Sequence, residues 1–229
     1  MSREIMNSRI VSLNVGTPVE TMHGNKPVQT GIFKSPSSSK HYLSKTGLSG
    51  DGQADLVFHG GPDKAVCVYF ERHFPYWEEW LGNKLSYGAF GENWTVSDWT
   101  EHDLCIGDIV QAGEIVVQVS QPRQPCFKLG IRHQRPELTA QVQQTGLTGF
   151  YFRVLKEGEV GAGEGLTVLK RHPAAISLAE ANRVMYQGKE DLAGMTALLE
   201  VEELSDSWKQ TLLSRIERLQ QAMQGGNTD

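Results

Sequence analysis

Glu114-Ile115-Val116-Val117-Gln118-Val119 runs straight into Ser120-Gln121-Pro122-Arg123-Gln124-Pro125-Cys126-Phe127-Lys128, and this join decides how the chain is read. The first six residues read as a strand. Two prolines then end it, because proline has no amide hydrogen and a fixed φ, so the segment leaves the sheet as a stiff, extended loop. Cys126 is thereby presented at a strand end on a rigid support, flanked by Arg123 and Lys128. Nearby cations favour thiolate over thiol, the form that attacks electrophiles or binds soft metals. The plainer alternative is a buried cysteine acting as a small hydrophobe; the prolines and cations favour the presented thiol.

Outward from this join, short apolar runs are broken by Gly, Pro, Asn and Asp. Ile10 to Val15, Ala65 to Phe70, Leu104 to Val110, Ile115 to Val119, Phe150 to Leu155 and Leu166 to Leu169 read as strands. Short strands with frequent turns predict a mainly β body, a barrel or sandwich. Phe70, Phe74, Trp77 and Leu81 share one face of a short helix stopped at Gly82, with Trp77 and Trp80 as core residues.

The texture changes after Lys170-Arg171-His172-Pro173. Ser177 and Glu180 form a capping box, opening a helix that runs to about Gln187 and stops at Gly188. A second helix carries Leu192, Met195, Leu198 and Leu199. A third begins after Ser205 and carries Trp208, Leu212, Ile216, Leu219 and Met223 before Gly225-Gly226. The expected organisation is a β domain over 1–172 and a three-helix domain over 173–229. The apolar side of the tail is available equally to the barrel or to a second copy in a homodimer.

Composition narrows the function. A net charge of −5 argues against a nucleic-acid polymer as partner, since that needs a basic face. Cys67, Cys105 and Cys126 are three, widely spaced, without a CxxC pair; they suit neither a disulfide framework nor a cysteine zinc site, and fall short of the four an iron–sulfur cluster needs. Cys67 in an apolar run and Cys105 at the edge of one read as structural. The polar start and the lack of any long apolar run give a cytoplasmic protein with no membrane partner.

Several stretches offer site chemistry. In His59-Gly60-Gly61-Pro62-Asp63-Lys64 two glycines let the backbone approach an anion and Lys64 adds charge, although an ordinary tight turn explains the same residues. Gly88-Ala89-Phe90-Gly91-Glu92-Asn93 is a second glycine-rich loop. Gly50-Asp51-Gly52-Gln53-Ala54-Asp55 is either a solvated acidic turn or part of the site, and Lys34 either a surface residue or a pocket cation.

In this order, HGGPDK, GAFGEN, Ile106-Gly107-Asp108 and SQPRQPCFK resemble the MOSC domain, found at the C-terminus of molybdenum cofactor sulfurases and in stand-alone relatives. Residues 145–155, TGLTGFYFRVL, and the helical tail resemble the YiiM branch, whose members end in a three-helix domain. The resemblance implies a MOSC-type β-barrel with a few short helices, binding the molybdenum cofactor, a pyranopterin dithiolene with a terminal phosphate. Cys126 would ligate molybdenum. Arg123, Lys64 and Lys128, with backbone near Gly60, Gly61 and Gly91, would hold phosphate and pterin, and Asn93 and Gln121 would meet the pterin edge. Lys34, Asp63 and His59 would assist catalysis by positioning or proton transfer.

The activity so implied is reduction of N-hydroxylated compounds such as 6-hydroxylaminopurine to the amine. With no G-x-G-x-x-G between strand and helix and too few cysteines for a cluster, electrons must come from an external donor, a flavoprotein or ferredoxin. The competing readings are a carrier of the cofactor or its sulfur without turnover, and a metal-free cysteine hydrolase or thiol sensor.

Overall fold

The computed structural model describes residues 7–55 and 60–225. Its strands are β1 (Ser8–Val15), β2 (Val19–His23), β3 (Lys26–Thr30), β4 (Ser35–Ser37), β5 (His41–Ser44), β6 (Gly47–Leu48), β7 (Val66–Phe70), β8 (Trp94–Val96), β9 (Ile109–Ala112), β10 (Ile115–Pro122), β11 (Phe150–Lys156), β12 (Gly158–Val160) and β13 (Gly165–Lys170). Seven of them, in the order β1, β8, β7, β11, β10, β9, β13, form a barrel, closed because β13 pairs back onto β1. Neighbours are antiparallel except β7 and β8, which run parallel. Closure leaves these seven strands with no free edge. β2 and β3 form a separate hairpin.

Five of the six expected strands coincide with β1, β7, β10, β11 and β13. Leu104 to Val110 does not form the sixth; only Ile109–Ala112 is strand. The apolar run is broken at Gly107, whose φ of +84° suits glycine, and at Asp108, whose carboxylate accepts from the Cys105 amide at 2.9 Å. That carboxylate also takes Arg171 Nη1 at 2.6 Å and the His172 amide at 2.9 Å, pinning the start of the tail to this turn. The strand before the site loop also runs further than expected. β10 continues through Ser120 and Gln121 to Pro122, because an irregularity between Val119 and Gln121 lets Pro122 stay paired with Phe150. The loop begins at Arg123.

The helices are α1 (Phe74–Leu81), α2 (Lys128–His133), α3 (Leu138–Thr145), α4 (Leu178–Asn182), α5 (Leu192–Leu199) and α6 (Asp206–Gly225). Gly82 stops α1 in the left-handed conformation. Only half of the capping box forms: Ser177 Oγ accepts from the Glu180 amide at 3.1 Å, while the Glu180 carboxylate turns to Arg183. The first tail helix does reach Gln187, but its last turn, Arg183–Gln187, widens to a π-helix. There the Arg215 guanidinium takes the Met185 carbonyl at 2.9 Å.

Two cores result. In β7, Val66, Val68 and Phe70 face the barrel interior, as do Phe150, Phe152 and Val154 of β11. Leu178, Ala181, Val184, Met195, Leu198, Trp208 and Leu212 from the tail belong to the same continuous core, so the tail's apolar side lies on the barrel. A second core gathers Tyr69, Phe74, Trp77, Phe90, Leu129, Leu138 and Val142 beneath α1, α2 and α3. Trp80 is only partly buried at its margin, under the Arg135 guanidinium at 4.4 Å. Among the described residues no helix is long and apolar enough to cross a membrane.

Candidate functional site

The site lies on the outside of the barrel, where strand alternation sends the residues that do not face the interior. Cys67 of β7 and Tyr151 of β11 are direct cross-strand partners, and both side chains line the same pocket. Burial pushes both the Cys67 thiol and the Tyr151 phenol above their ordinary values, so each stays protonated at neutral pH. Gln121 pairs with Tyr151 on the other side, and Arg123 and Cys126 follow in the loop.

Two cavities meet here. A narrow pocket of about 70 Å³ is lined by Lys34, Lys64, Arg123 and Lys128, with Cys67, Asn93, Gly91, Tyr151 and Cys126 and, among the described residues, by no carboxylate. Beside it opens a groove of about 880 Å³, with Gln121, Gln124, Pro125 and Phe127 on one side and α6 on the other. Cys126, Lys64, Lys128 and Tyr151 border both, so the Cys126 thiol stands at the neck between them. In a chain of net charge −5, four cations facing one small pocket form a local anion site.

Arg123 is the most telling of the four. It is 7% exposed, and among the described residues its guanidinium has no hydrogen-bonding or ion-pairing partner. A buried guanidinium that cannot lose its proton and makes no ion pair, the buried Glu92 attracting it only from beyond contact, costs free energy until an anion arrives. Lys34 is buried too, but paired with Asp51. Asp51 also accepts from the Gly16 amide at 2.9 Å and from Asn93 Nδ2 at 2.9 Å. Burial lowers the Lys64 ammonium below its ordinary value.

Asn93 and Gln121, expected at a pterin edge, have their side chains occupied within the protein. Asn93 Oδ1 accepts from the Cys67 amide at 3.0 Å, and its Nδ2 serves Asp51 and Asn14. Gln121 Oε1 accepts from Ser205 Oγ at 2.6 Å and Ser207 Oγ at 3.1 Å, bolting the start of α6 to β10. Gly91 must be glycine: φ is +73°, and a Cβ would meet Ile32 at 2.8 Å. Glu92 holds that loop from within, accepting from the Gly88 and Phe90 amides at 2.6 and 2.9 Å.

Other expected residues fall elsewhere. Asp63 lines neither cavity; Arg153 grips it from Nε and Nη2 at 3.0 and 2.7 Å, and the Asp206 amide reaches it at 3.3 Å, on the seam between barrel and tail. Gly60 and Gly61 also line neither; the Gly61 carbonyl accepts from the Lys64 amide at 3.0 Å, closing the turn that presents Lys64. His59 lies outside the described residues. Cys67, read from sequence as structural, is a pocket residue, and Tyr151 and Asp51 also belong to the site. For Cys67 and Tyr151 the sequence carried no local signal, since each lies in a run buried on both faces. Asp51 had only its glycine-flanked loop.

Among the described residues no three or more His, Cys, Asp or Glu side chains cluster as a metal site. A metal held at Cys126 would therefore bring most of its ligands with it, as a dithiolene does. One soft thiol at the neck, a cationic pocket for a phosphate and a groove within the size range of ligand sites fit the molybdenum cofactor in donor chemistry.

Comparison with known proteins gives the same family from independent directions. The MOSC domain model matches residues 55–167, and the YiiM-like 3-alpha helix domain model matches residues 176–219. The chain is 49% identical over 210 residues to the uncharacterized protein YflK of Bacillus subtilis, covering 92% of this chain and 95% of that protein. It is 35% identical over 189 residues to protein YiiM of Escherichia coli, covering 81% and 84%. A protein named reductase from Gibberella moniliformis is 33% identical over 162 residues, 69% of this chain and only 29% of that protein. The crystal structure of YiiM from Geobacillus stearothermophilus superposes with a TM-score of 0.79 at 42% identity, over 91% of this chain and 98% of that one. The chain belongs to the MOSC-domain family, in the branch that carries the YiiM-like three-helix domain.

Proposed function

We propose that this chain is a molybdenum-cofactor-dependent reductase of N-hydroxylated compounds, 6-hydroxylaminopurine among them. The observation that carries the reading is the Cys126 thiol at the neck between a cationic pocket and an open groove, beside a buried Arg123 whose guanidinium makes no ion pair among the described residues. The relative named reductase supports the class of reaction.

Arg123, Lys128 and Lys64 would hold the cofactor's phosphate by charge-assisted hydrogen bonds, and Cys126 Sγ would ligate its metal. When bound, the cofactor supplies two-electron redox chemistry next to the groove. The substrate's N–O bond breaks, two electrons and two protons are consumed, and the products are the amine and water. Lys64 borders both cavities and would carry a proton at Nζ toward the groove. Asp51 and Asn93 fix Lys34 at the pocket wall, and the closely packed barrel and α6 keep bulk water to the open side of the groove.

The test is metal analysis and turnover on protein made in a cofactor-competent host. Purified protein should contain molybdenum and consume 6-hydroxylaminopurine with a reduced viologen dye, yet stay inert with NADH or NADPH until a flavoprotein reductase or ferredoxin is added. Cys126→Ser should lose activity by at least about a hundredfold while keeping its circular dichroism spectrum, since an alcohol is no thiolate at neutral pH. Bound molybdenum without consumption of any N-hydroxylated compound would make the chain a carrier instead.

A further inference from the structure

The groove has two chemically different walls. The cations of the narrow pocket, with Asp55, stand on the barrel side, whereas α6 turns Ser207, Gln210, Thr211 and Ser214 to the groove, followed by Arg218 as the one cation it places there. These positions follow the spacing i, i+3, i+4, i+7 and i+11, a single stripe along the helix, opposite the stripe of Trp208 and Leu212 that enters the core. An ordinary solvated helix face is charged. This one offers neutral groups that both donate and accept, and the Gln210 and Ser214 side chains hydrogen-bond to no other described residue. Their height above the barrel is fixed, because Gln121 holds Ser205 and Ser207.

Facing them beside Cys126 is Phe127, an aromatic ring left 48% exposed. It is supported from behind by the His23 ring of the β2–β3 hairpin, with centroids 5.2 Å apart. An exposed ring on a rigid Pro–Cys–Phe turn is a stacking platform, and stacking suits any flat π-system. We propose that Phe127 and the neutral stripe of α6 form the substrate-recognition wall, taking a planar, uncharged heterocycle of nucleobase type by its face and its hydrogen-bonding edge. This rests on the reductase reading above. The anionic cofactor is drawn to the cationic barrel wall, and the neutral wall is left for the substrate's ring.

Adenine, the amine product of 6-hydroxylaminopurine, is the probe. Titration calorimetry on cofactor-loaded protein should show adenine binding in the wild type, weakened roughly three- to tenfold in Gln210→Leu, the worth of one neutral hydrogen bond. Phe127→Leu, which keeps apolar bulk without a π-face, should weaken it at least about fivefold. Gln220→Leu, the same change on the opposite face of α6, should bind as the wild type does. All four proteins should carry equal molybdenum. Loss of molybdenum in Gln210→Leu would assign the wall to the cofactor and overturn the proposal, as would unchanged adenine affinity in both groove variants.

Steady-state kinetics separates this proposal from the reductase reading. Gln210→Leu should raise KM for 6-hydroxylaminopurine relative to KM for N-methylhydroxylamine, which has no ring edge to read. If the wild type reduces both compounds and the KM ratio does not move, the wall is wrong and the reductase stands. If adenine binding depends on Gln210 and Phe127 while the wild type reduces no N-hydroxylated compound, the wall stands and the reductase falls.

Discussion

Arg123 and its surroundings set up a conflict between stability and binding that one substitution can expose. A buried, unpaired guanidinium weakens the fold until an anion joins it, and an apolar residue of similar length removes that penalty. Arg123→Met should therefore raise the melting temperature of cofactor-free protein by a few degrees. Inorganic phosphate at millimolar concentration should stabilise the wild type through linkage and leave the variant unmoved; a phosphate effect equal in both would place the anion site elsewhere. Cys126 and Arg123 were legible in the sequence because their message is local: prolines, cations and a thiol within nine residues. Cys67 and Tyr151 were not. Both faces of β7 are buried, so its residues, Val66-Cys67-Val68-Tyr69-Phe70, show no alternation of polarity that would reveal which face is which. The Lys34–Asp51 pair spans a loop that no periodicity describes.

Among the elements, α2 joins the site loop to the second core, and its last residue gives that junction a pH dependence. His133 Nε2 donates to the Ala89 carbonyl at 2.8 Å, and its ring packs 5.7 Å from Phe90. Burial, opposed by that hydrogen bond and aided by Arg132, pulls the His133 pKa below its ordinary 6.5. Between the lowered value and 6.5 the unfolded chain binds more protons than the folded one, so stability rises with pH through that window and falls on acidification. His133→Gln keeps a donor for Ala89 and cannot titrate. Urea titrations at pH 7 and pH 5 should show a smaller loss of stability in the variant; equal losses would clear His133 of the effect. Neither α2 nor α3 was expected from sequence, since Lys128–His133 is six residues with Gly130 in the middle, too short for a helical period to register. The tail helices were legible because each repeats its apolar stripe over two turns or more.

At the scale of the whole molecule, barrel and tail share one core, and this bears on what happens when they are separated. Each large apolar side chain taken out of that core forfeits about 1.5–3 kcal/mol, against a total stability of roughly 5–15 kcal/mol for a domain. A chain ending at Arg171 loses Leu178, Leu198, Trp208 and Leu212 together, and it should be insoluble or lack near-ultraviolet circular dichroism. A soluble truncated barrel with native near-ultraviolet bands would contradict the shared core. The strand count has a further effect. Strand direction around a closed barrel must return to itself, so the number of antiparallel steps is even. Seven strands make seven steps, and at least one must then be parallel; here it falls between β7 and β8. Parallel neighbours cannot be joined by a hairpin, so residues 71–93 must travel back to the end of the barrel where β7 began. They arrive at Asn93, whose amide donates to the Cys67 carbonyl at 2.7 Å while its side chain accepts from the Cys67 amide. A barrel with an even number of strands could close by hairpins alone and would have no returning chain to set Gly91 and Asn93 against the thiols. The odd parity of the barrel is what gives the pocket its inner wall.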